Sequence, residues 1–363
     1  MAPIPRLAWD DPAALELMQR RQPVILTGTR LAGCAQQKWD LDYLRAHVDP
    51  AAMFSVYNSA NGRFMYSNVN KNEPGFAFTP TVYHEELRFA TFVERLVQAE
   101  AAESPRVYLQ QPLYQGIGDR ITDDFKTVPW EWVNTVQQAL GFGHLTTNLL
   151  LIGQPGTVTP CHYDEQHNLL AVCRGQKKCT LFSPDQFECL YPYPVGHPAD
   201  RQSQVNFDEP DDRRFPRFAE ARGEVCTVAA GDVLYIPPCW WHMVENVAHD
   251  GFNLAITFWF KCGPGDAPAK KARGSGVLVS VRRNLEKMAA QELGPRTAIR
   301  FWKATMDSNG QGLVESSFRD YHAVLLKRVQ LLLPKPEGAA VFLQGLVAGR
   351  FYPSLCEESS TTS

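Results

Sequence analysis

Two short stretches, about eighty positions apart, carry residues suited to redox metal chemistry. His162 and Asp164 stand two apart in the run Thr159-Pro160-Cys161-His162-Tyr163-Asp164. In a strand or at its end, residues i and i+2 point to one face, so both side chains can aim at a single ion. A second histidine, His242, follows a turn, an apolar run and a proline stop in Gly231-Asp232-Val233-Leu234-Tyr235-Ile236-Pro237-Pro238-Cys239-Trp240-Trp241-His242. Two imidazoles and one carboxylate on one face form the facial triad of non-haem Fe(II) oxygenases. Such a triad leaves room for a bidentate 2-oxo acid and for O₂. H-x-D alone is a weak signal, and the second histidine gives it weight.

A lysine fits the same chemistry. Lys177 lies in Arg174-Gly175-Gln176-Lys177-Lys178, just after an apolar run and a glycine turn. A buried ammonium beside the metal would pair with the distal carboxylate of a 2-oxo acid. The alternative for Lys177 is an exposed charge on a hairpin.

These residues need a β framework to bring them together. From about 106 to 262, short β-rich runs recur at 107–111, 145–152, 168–173, 178–182, 225–228, 233–236, 240–245 and 252–260. Gly153, Pro155, Gly156, Gly175, Pro184, Gly231 and Pro237 punctuate them. Many short strands with turn signals predict a barrel or sandwich core. A long excursion over 185–222, rich in proline and in charges of both signs, interrupts the pattern. A loop of that length in a compact domain is usually functional.

The first 105 residues predict a flanking α/β segment. Asp10-Asp11-Pro12 opens a helix with Pro12 in its first turn, and Val24-Ile25-Leu26 reads as a buried strand. Thr91 and Glu94 fit a capping box ahead of Phe92, Val93, Leu96 and Val97. The texture of 263–363 turns helical, with candidate helices over 281–293, 315–333 and 339–348. The strongly apolar face of the second of these predicts a partner surface, either its own barrel or a swapped helix in a homodimer.

Composition bounds the class. Hydrophobic residues make up 44% of the 363-residue chain and charged ones 21%, the balance of a globular protein with a sizeable core. A net charge of −3 gives nucleic acid no global reason to bind. No apolar run approaches the roughly 20 residues needed to span a bilayer, and the first residues do not read as a signal peptide. The nine cysteines form no CxxC pair, which argues against a zinc ribbon or a disulfide framework and for reduced thiols in the cytoplasm or nucleus.

Several stretches resemble the asparaginyl hydroxylases that act on hypoxia-inducible factor, a branch of the jumonji-C 2-oxoglutarate oxygenases. They are 149–153 with 157–166, the long run Phe182-Ser183-Pro184 followed by DQFECLYPYPV over 185–195, and Asp200-Arg201-Gln202-Ser203-Gln204-Val205. The resemblance covers roughly 4–293 and resumes near 340–352. It implies a double-stranded β-helix, mainly β with flanking helices, over 106–262, and a helical dimerisation segment over 263–363.

The same resemblance implies roles for single residues. His162, Asp164 and His242 would ligate Fe(II). Tyr108, Thr159 and Lys177 would hold the distal carboxylate of 2-oxoglutarate, with Asn168 and Thr257 near its metal-side carboxylate. Tyr66, Gln110, Arg201, Gln202 and Trp259 would bind a peptide substrate. Gln202 suits a primary amide, since its own amide both donates and accepts. The implied reaction is O₂-dependent β-hydroxylation of asparagine, in some cases of Asp or His, in ankyrin-repeat proteins or a hypoxia-inducible transcription factor. An enzyme consuming O₂ in this way could report oxygen level.

Four departures from that family stand out. Thr257 replaces an asparagine, and its shorter hydroxyl would weaken cosubstrate binding. Cys161 replaces a small apolar residue beside a metal ligand, which would make the site sensitive to oxidation. Leu170 replaces an aromatic residue, and 295–338 is longer than the family's linker, which bears on dimer geometry. Two other readings compete: jumonji-C lysine demethylation, and a scaffold that kept the barrel but lost turnover.

Overall fold

The computed structural model describes residues 3–68, 78–98, 105–114, 116–193, 197–247 and 251–263. The helices expected beyond 263, and the dimerisation segment they would form, lie outside the described residues.

In chain order, the first elements are β1 (Arg6–Ala8), α1 (Pro12–Gln19), β2 (Val24–Thr27), α2 (Gly33–Lys38), α3 (Leu41–His47), β3 (Met53–Ser59), β4 (Val82–Arg88) and α4 (Phe89–Gln98). Then come β5 (Arg106–Pro112), α5 (Asp119–Lys126), α6 (Trp130–Leu140), β6 (Leu145–Thr147), β7 (Leu149–Gly153), β8 (Val158–Tyr163) and β9 (His167–Arg174). The last are β10 (Gln176–Phe182), β11 (Glu224–Ala229), β12 (Val233–Ile236), β13 (Trp241–Val247) and β14 (Asn253–Phe260).

Two sheets form the first of two compact units, residues 1–66, 79–183 and 222–267. The larger runs β1-β2-β12-β9-β14-β7-β5-β3-β4, with β6 also on β14; the smaller runs β11-β10-β13-β8. Side chains from both meet in one interior, where Leu170 and Val172 of β9, Leu234 and Ile236 of β12 and Ala255 of β14 pack with Cys179 and Leu181 of β10, Val228 of β11 and Val244 of β13. This is the mainly β sandwich that the short strands predict. The opposite face of the larger sheet buries Leu169, Ala171, Ile256, Phe258 and Phe260 in a second core that α1 to α6 help to build. β9 and β14 are therefore buried on both faces, and their sequences are almost continuously apolar for that reason.

Local chemistry sets the helix starts. Asp11 caps α1 by accepting from the Ala13 amide, with Pro12 in the first turn as expected. Asp40 caps α3 by accepting from the Tyr43 amide. The capping box expected at Thr91 is not there: α4 begins at Phe89, directly out of β4, because Phe89 must bury together with Phe92, Val93 and Leu96. The single strand expected over 145–152 is two, broken at Asn148. Asn148 is buried and turns its amide onto the backbone, its Nδ2 donating to the Thr257 carbonyl at 3.0 Å.

Gly175 does not make a hairpin. β9 and β10 lie in different sheets, and a left-handed residue (φ +71°) turns the chain from one to the other. A Cβ there would stand 2.4 Å from Asn253 Oδ1.

The second unit includes 67–78 and 184–221. The excursion over 185–222 is not a bare loop. Short 3₁₀ turns at Pro184–Gln186 and Pro216–Glu220 and a bridge between Pro192 and Ser203 surround a small core of Tyr191, Val205 and Phe215. Among the described residues, no helix is long and apolar enough to cross a membrane.

Candidate metal and cosubstrate site

The metal ligands predicted from sequence converge. β13 pairs with β8 so that His242 lies directly opposite His162. Asp164 sits just past the end of β8, and its carbonyl accepts from the Cys239 amide at 2.7 Å, which ties the two approaches together. Asp164 Oδ2 lies 3.5 Å from His162 Nε2 and 3.4 Å from His242 Nε2. Two donors each about 2.1 Å from one ion at a right angle would be about 3 Å apart, so a small closure brings all three onto one metal. Among the described residues, this is the one group of three or more His, Cys, Asp or Glu side chains with that convergence.

Both imidazoles are aimed by the backbone. His162 Nδ1 lies 2.8 Å from the Pro160 carbonyl, and His242 Nδ1 lies 3.0 Å from the Trp240 carbonyl. A carbonyl only accepts, so each Nδ1 carries the proton and each Nε2 offers its lone pair to the metal. Burial, and the neighbouring His162, push His242 below its ordinary pKa and keep it neutral. Burial alone would raise Asp164, but an imidazole that carries a proton on Nε2 in place of the metal, His162 foremost, holds it well below the usual carboxylate range, so it is an anion. A two-histidine, one-carboxylate set without thiolate fits Fe(II).

A β-bulge explains why Thr159 joins the same face. Between the His242–His162 and Val244–Thr159 pairs, β8 spends one residue more than β13. Thr159 and His162, three apart, therefore both face the interior. Pro160 sits in that irregularity, where its missing amide proton costs no ladder bond.

The residues expected to hold a distal carboxylate also meet. Lys177 is 1% exposed, on the interior face of β10 with Cys179 and Leu181. Its Nζ donates to Asn246 Oδ1 at 2.6 Å and stands 5.9 Å from the centre of the Tyr108 ring. Tyr108, buried on β5, hydrogen-bonds Thr159. Burial raises the Tyr108 hydroxyl far above its ordinary pKa, so it stays a donor. Burial also lowers Lys177 to about 8.

Among the described residues, no carboxylate pairs with this ammonium. A buried cation without a counter-ion is costly, and an anionic ligand would relieve it. The neighbourhood is also kept open: a Cβ on Gly153, opposite Tyr108 in the β5–β7 ladder, would lie 2.8 Å from the Tyr108 ring and 3.1 Å from Asn246 Nδ2. These features fit a dicarboxylate such as 2-oxoglutarate.

Asn168 and Trp259 are cross-strand partners on β9 and β14, on the interior side with Leu170 and Ala255. Asn168 Oδ1 and Trp259 Nε1 are buried with no hydrogen-bond partner, an acceptor and a donor available to ligand or substrate. Thr257 shares that face, but its hydroxyl accepts from the Leu149 amide at 3.2 Å. That bond covers the ladder gap that Asn148 opens, and it leaves only the hydroxyl proton for a carboxylate.

Gln110 lies two residues from Tyr108 on β5, half-buried. Tyr66 is exposed. Arg201 and Gln202 belong to the second unit. Gln202 is buried, its carbonyl accepting from the Tyr193 amide, and Arg201 is left-handed at φ +72°. Cys161, next to His162, is buried, and burial raises its thiol well above the ordinary value, which disfavours the thiolate.

Sequence reasoning missed Asn246 and Gly153. The run expected over 240–245 stops short of Asn246, but β13 extends to Val247. Gly153 read as punctuation, yet it ends β7 inside the ladder. No residue-type signal marks either, since both matter through what folds against them.

A family model described as "Cupin-like domain" matches residues 12–266. The chain is 31% identical over 241 residues to "Lysine-specific demethylase JMJ30" of Arabidopsis thaliana, covering 66% of this chain and 49% of that protein. It is 27% identical over 277 residues to "tRNA wybutosine-synthesizing protein 5" of Homo sapiens, covering 73% of this chain and 79% of that one. It is 36% identical over 110 residues to "Lysine-specific demethylase 8" of Xenopus tropicalis, covering 30% and 24%. The chain thus spans about half the length of the plant relative and about four-fifths of the human one. With the family match over most of its length and a His-Asp-His group at the site, the chain belongs to the cupin-like family, among the jumonji-C proteins that use Fe(II), 2-oxoglutarate and O₂.

Proposed function

We propose that this chain is a protein hydroxylase that oxidises the β-carbon of asparagine, and in some substrates Asp or His, in ankyrin-repeat proteins or a hypoxia-inducible transcription factor. The observation that carries the oxygenase part is the convergence of His162, Asp164 and His242 in the same barrel as a buried, uncompensated Lys177. The asparagine part rests on the resemblance of 182–195 and 200–205, which include Gln202. A homodimer, resident in cytoplasm and nucleus, belongs to the same reading.

Bound Fe(II) with 2-oxoglutarate and O₂ supplies the oxidising power for an unactivated C–H bond, releasing succinate and CO₂. The protein residues supply position. His162, Asp164 and His242 would hold the ion, each imidazole fixed by a backbone carbonyl. Lys177, Tyr108 and Thr159 would hold the far carboxylate, and the ammonium would keep its proton against that charge. Asn168 Oδ1 and Trp259 Nε1 would take polar groups that arrive with the ligands. The apolar interior around Leu170, Leu181 and Val244 excludes water and strengthens each of these charged contacts.

The test is incubation with Fe(II), 2-oxoglutarate and a panel of ankyrin-repeat peptides, read by tandem mass spectrometry. One added oxygen on a single asparagine is expected, and none with Asp164→Ala. No gain across the panel, with 2-oxoglutarate still consumed, would refute asparagine as the target.

Lysine demethylation is the second reading, favoured by two relatives that carry that name. The same C–H oxidation on an N-methyl group would release formaldehyde from methyl-lysine peptides. A scaffold without turnover would bind the metal and consume no 2-oxoglutarate.

A further inference from the structure

Asn246 is held at every polar group it has. Its amide donates to the Thr157 carbonyl at 2.8 Å, and its carbonyl accepts from the Gly156 amide at 2.7 Å. Its Nδ2 donates to the Gln154 carbonyl at 3.1 Å, while Oδ1 accepts from Lys177 Nζ at 2.6 Å. The orientation of the side chain is forced, because an ammonium only donates and a carbonyl only accepts. Gln154 is itself locked, accepting from the Val107 amide at 2.8 Å and donating to the Leu96 carbonyl at 3.2 Å. A buried polar chain therefore runs from the end of α4 through Gln154 and Asn246 to the ammonium.

We propose that Asn246 is a positioning residue that aims Lys177 at the distal carboxylate and so sets the preference for a 2-oxo dicarboxylic acid over a 2-oxo monocarboxylic acid. The inference rests on the reading of Lys177 as the carboxylate anchor. A lysine side chain has four rotatable bonds, and a single strong acceptor is what fixes its end. The acceptor must be neutral: Asn Oδ1 holds the ammonium without cancelling its charge, so the cation remains available to a ligand. An aspartate at 246 would make an internal ion pair and take the place of the ligand's carboxylate. The other described neighbours of the ammonium cannot substitute for Asn246, since Tyr108 presents its ring face and Thr159 is engaged with the Tyr108 hydroxyl.

The test is calorimetric binding to the Fe(II)-loaded protein under anaerobic conditions, with 2-oxoglutarate and with 2-oxopentanoate, which has the same carbon chain and no distal carboxylate. Asn246→Ala is expected to weaken 2-oxoglutarate about tenfold, the equivalent of about 1.4 kcal/mol, and to leave 2-oxopentanoate within twofold. Asn246→Asp is expected to bring the two ligands to nearly equal affinity. Lys177→Met separates the two levels of the argument. If Lys177→Met leaves 2-oxoglutarate affinity unchanged, the anchor reading fails and this proposal with it. If Lys177→Met weakens 2-oxoglutarate and both Asn246 variants bind it as the parent does, only the positioning role is overturned. Equal weakening of both ligands in both Asn246 variants would also overturn it, by showing general damage to the barrel.

Discussion

Gly153→Ala tests whether the pocket was shaped by one missing side chain. The residue is not left-handed, so backbone strain plays no part and the effect is steric. The new Cβ would lie 2.8 Å from Tyr108 Cδ2, 3.1 Å from Asn246 Nδ2 and 3.3 Å from Thr157 Oγ1. Carbon atoms settle at about 3.5–4.0 Å, so the Tyr108 ring must move by roughly 0.7 Å or more. It cannot move freely, being packed edge-on to Phe64 at 5.3 Å and hydrogen-bonded to Thr159. Overpacking of this kind costs about 1–3 kcal/mol, and a domain of this size loses roughly 2–4 °C of Tm per kcal/mol.

The ring shift also withdraws the Tyr108 hydroxyl from the carboxylate that it is proposed to hold. A hydrogen bond to a charged group contributes about 1.5–3 kcal/mol, or roughly ten- to hundredfold in affinity. Thermal unfolding and calorimetric titration of 2-oxoglutarate measure both effects. Metal binding should not change, since the triad stands on β8, its end and β13. An alanine variant with the parent's Tm and 2-oxoglutarate affinity would refute the reasoning. So would one that lost metal and 2-oxoglutarate together.

Three further outcomes follow from single residues. Asp164→Ala removes the sole anionic ligand and should weaken Fe(II) binding by at least about a hundredfold, as read by metal analysis after dialysis; retained stoichiometric iron would contradict the assignment. Lys177, depressed from its ordinary 10.5 to about 8, binds its proton less tightly in the folded than in the unfolded chain. Its burial therefore destabilises the free protein below pH 8, and the penalty fades as pH rises towards 10.5, by about 3 kcal/mol in all. Lys177→Met should raise Tm at pH 7 by more than at pH 10, and in the parent 2-oxoglutarate affinity should fall up to tenfold per pH unit above 8; a flat binding profile from pH 7 to 9.5 would be the contrary result. Asp124, buried between α2, α3 and α5, accepts from Lys38 at 3.0 Å, Trp39 Nε1 at 3.2 Å and the Tyr43 hydroxyl at 2.5 Å. Asp124→Ala strands these donors and should cost about 2–4 kcal/mol in chemical denaturation, with 2-oxoglutarate binding unchanged in the folded fraction.

The sequence by itself determined the ligand types and the strands that carry them. The H-x-D spacing works because residues two apart share a face at a strand's end, and Gly231, Pro237 and the apolar run between them announce the strand before His242. Lys177 could be named, but its state could not: the same ArgGlyGlnLysLys run suits an exposed hairpin, and only the placement of β9 and β10 in different sheets buries it. Thr159 on the metal face depends on a bulge that spacing alone would not supply. Asn246 and Gly153 have no signature at all, because one acts by bonds to residues 69 and 92 positions away and the other by the volume it leaves for Tyr108. Periodicity and residue type are local properties and are written along the chain. Burial, cross-sheet distance and the space between side chains arise only when distant segments close on one another, and those decided the site.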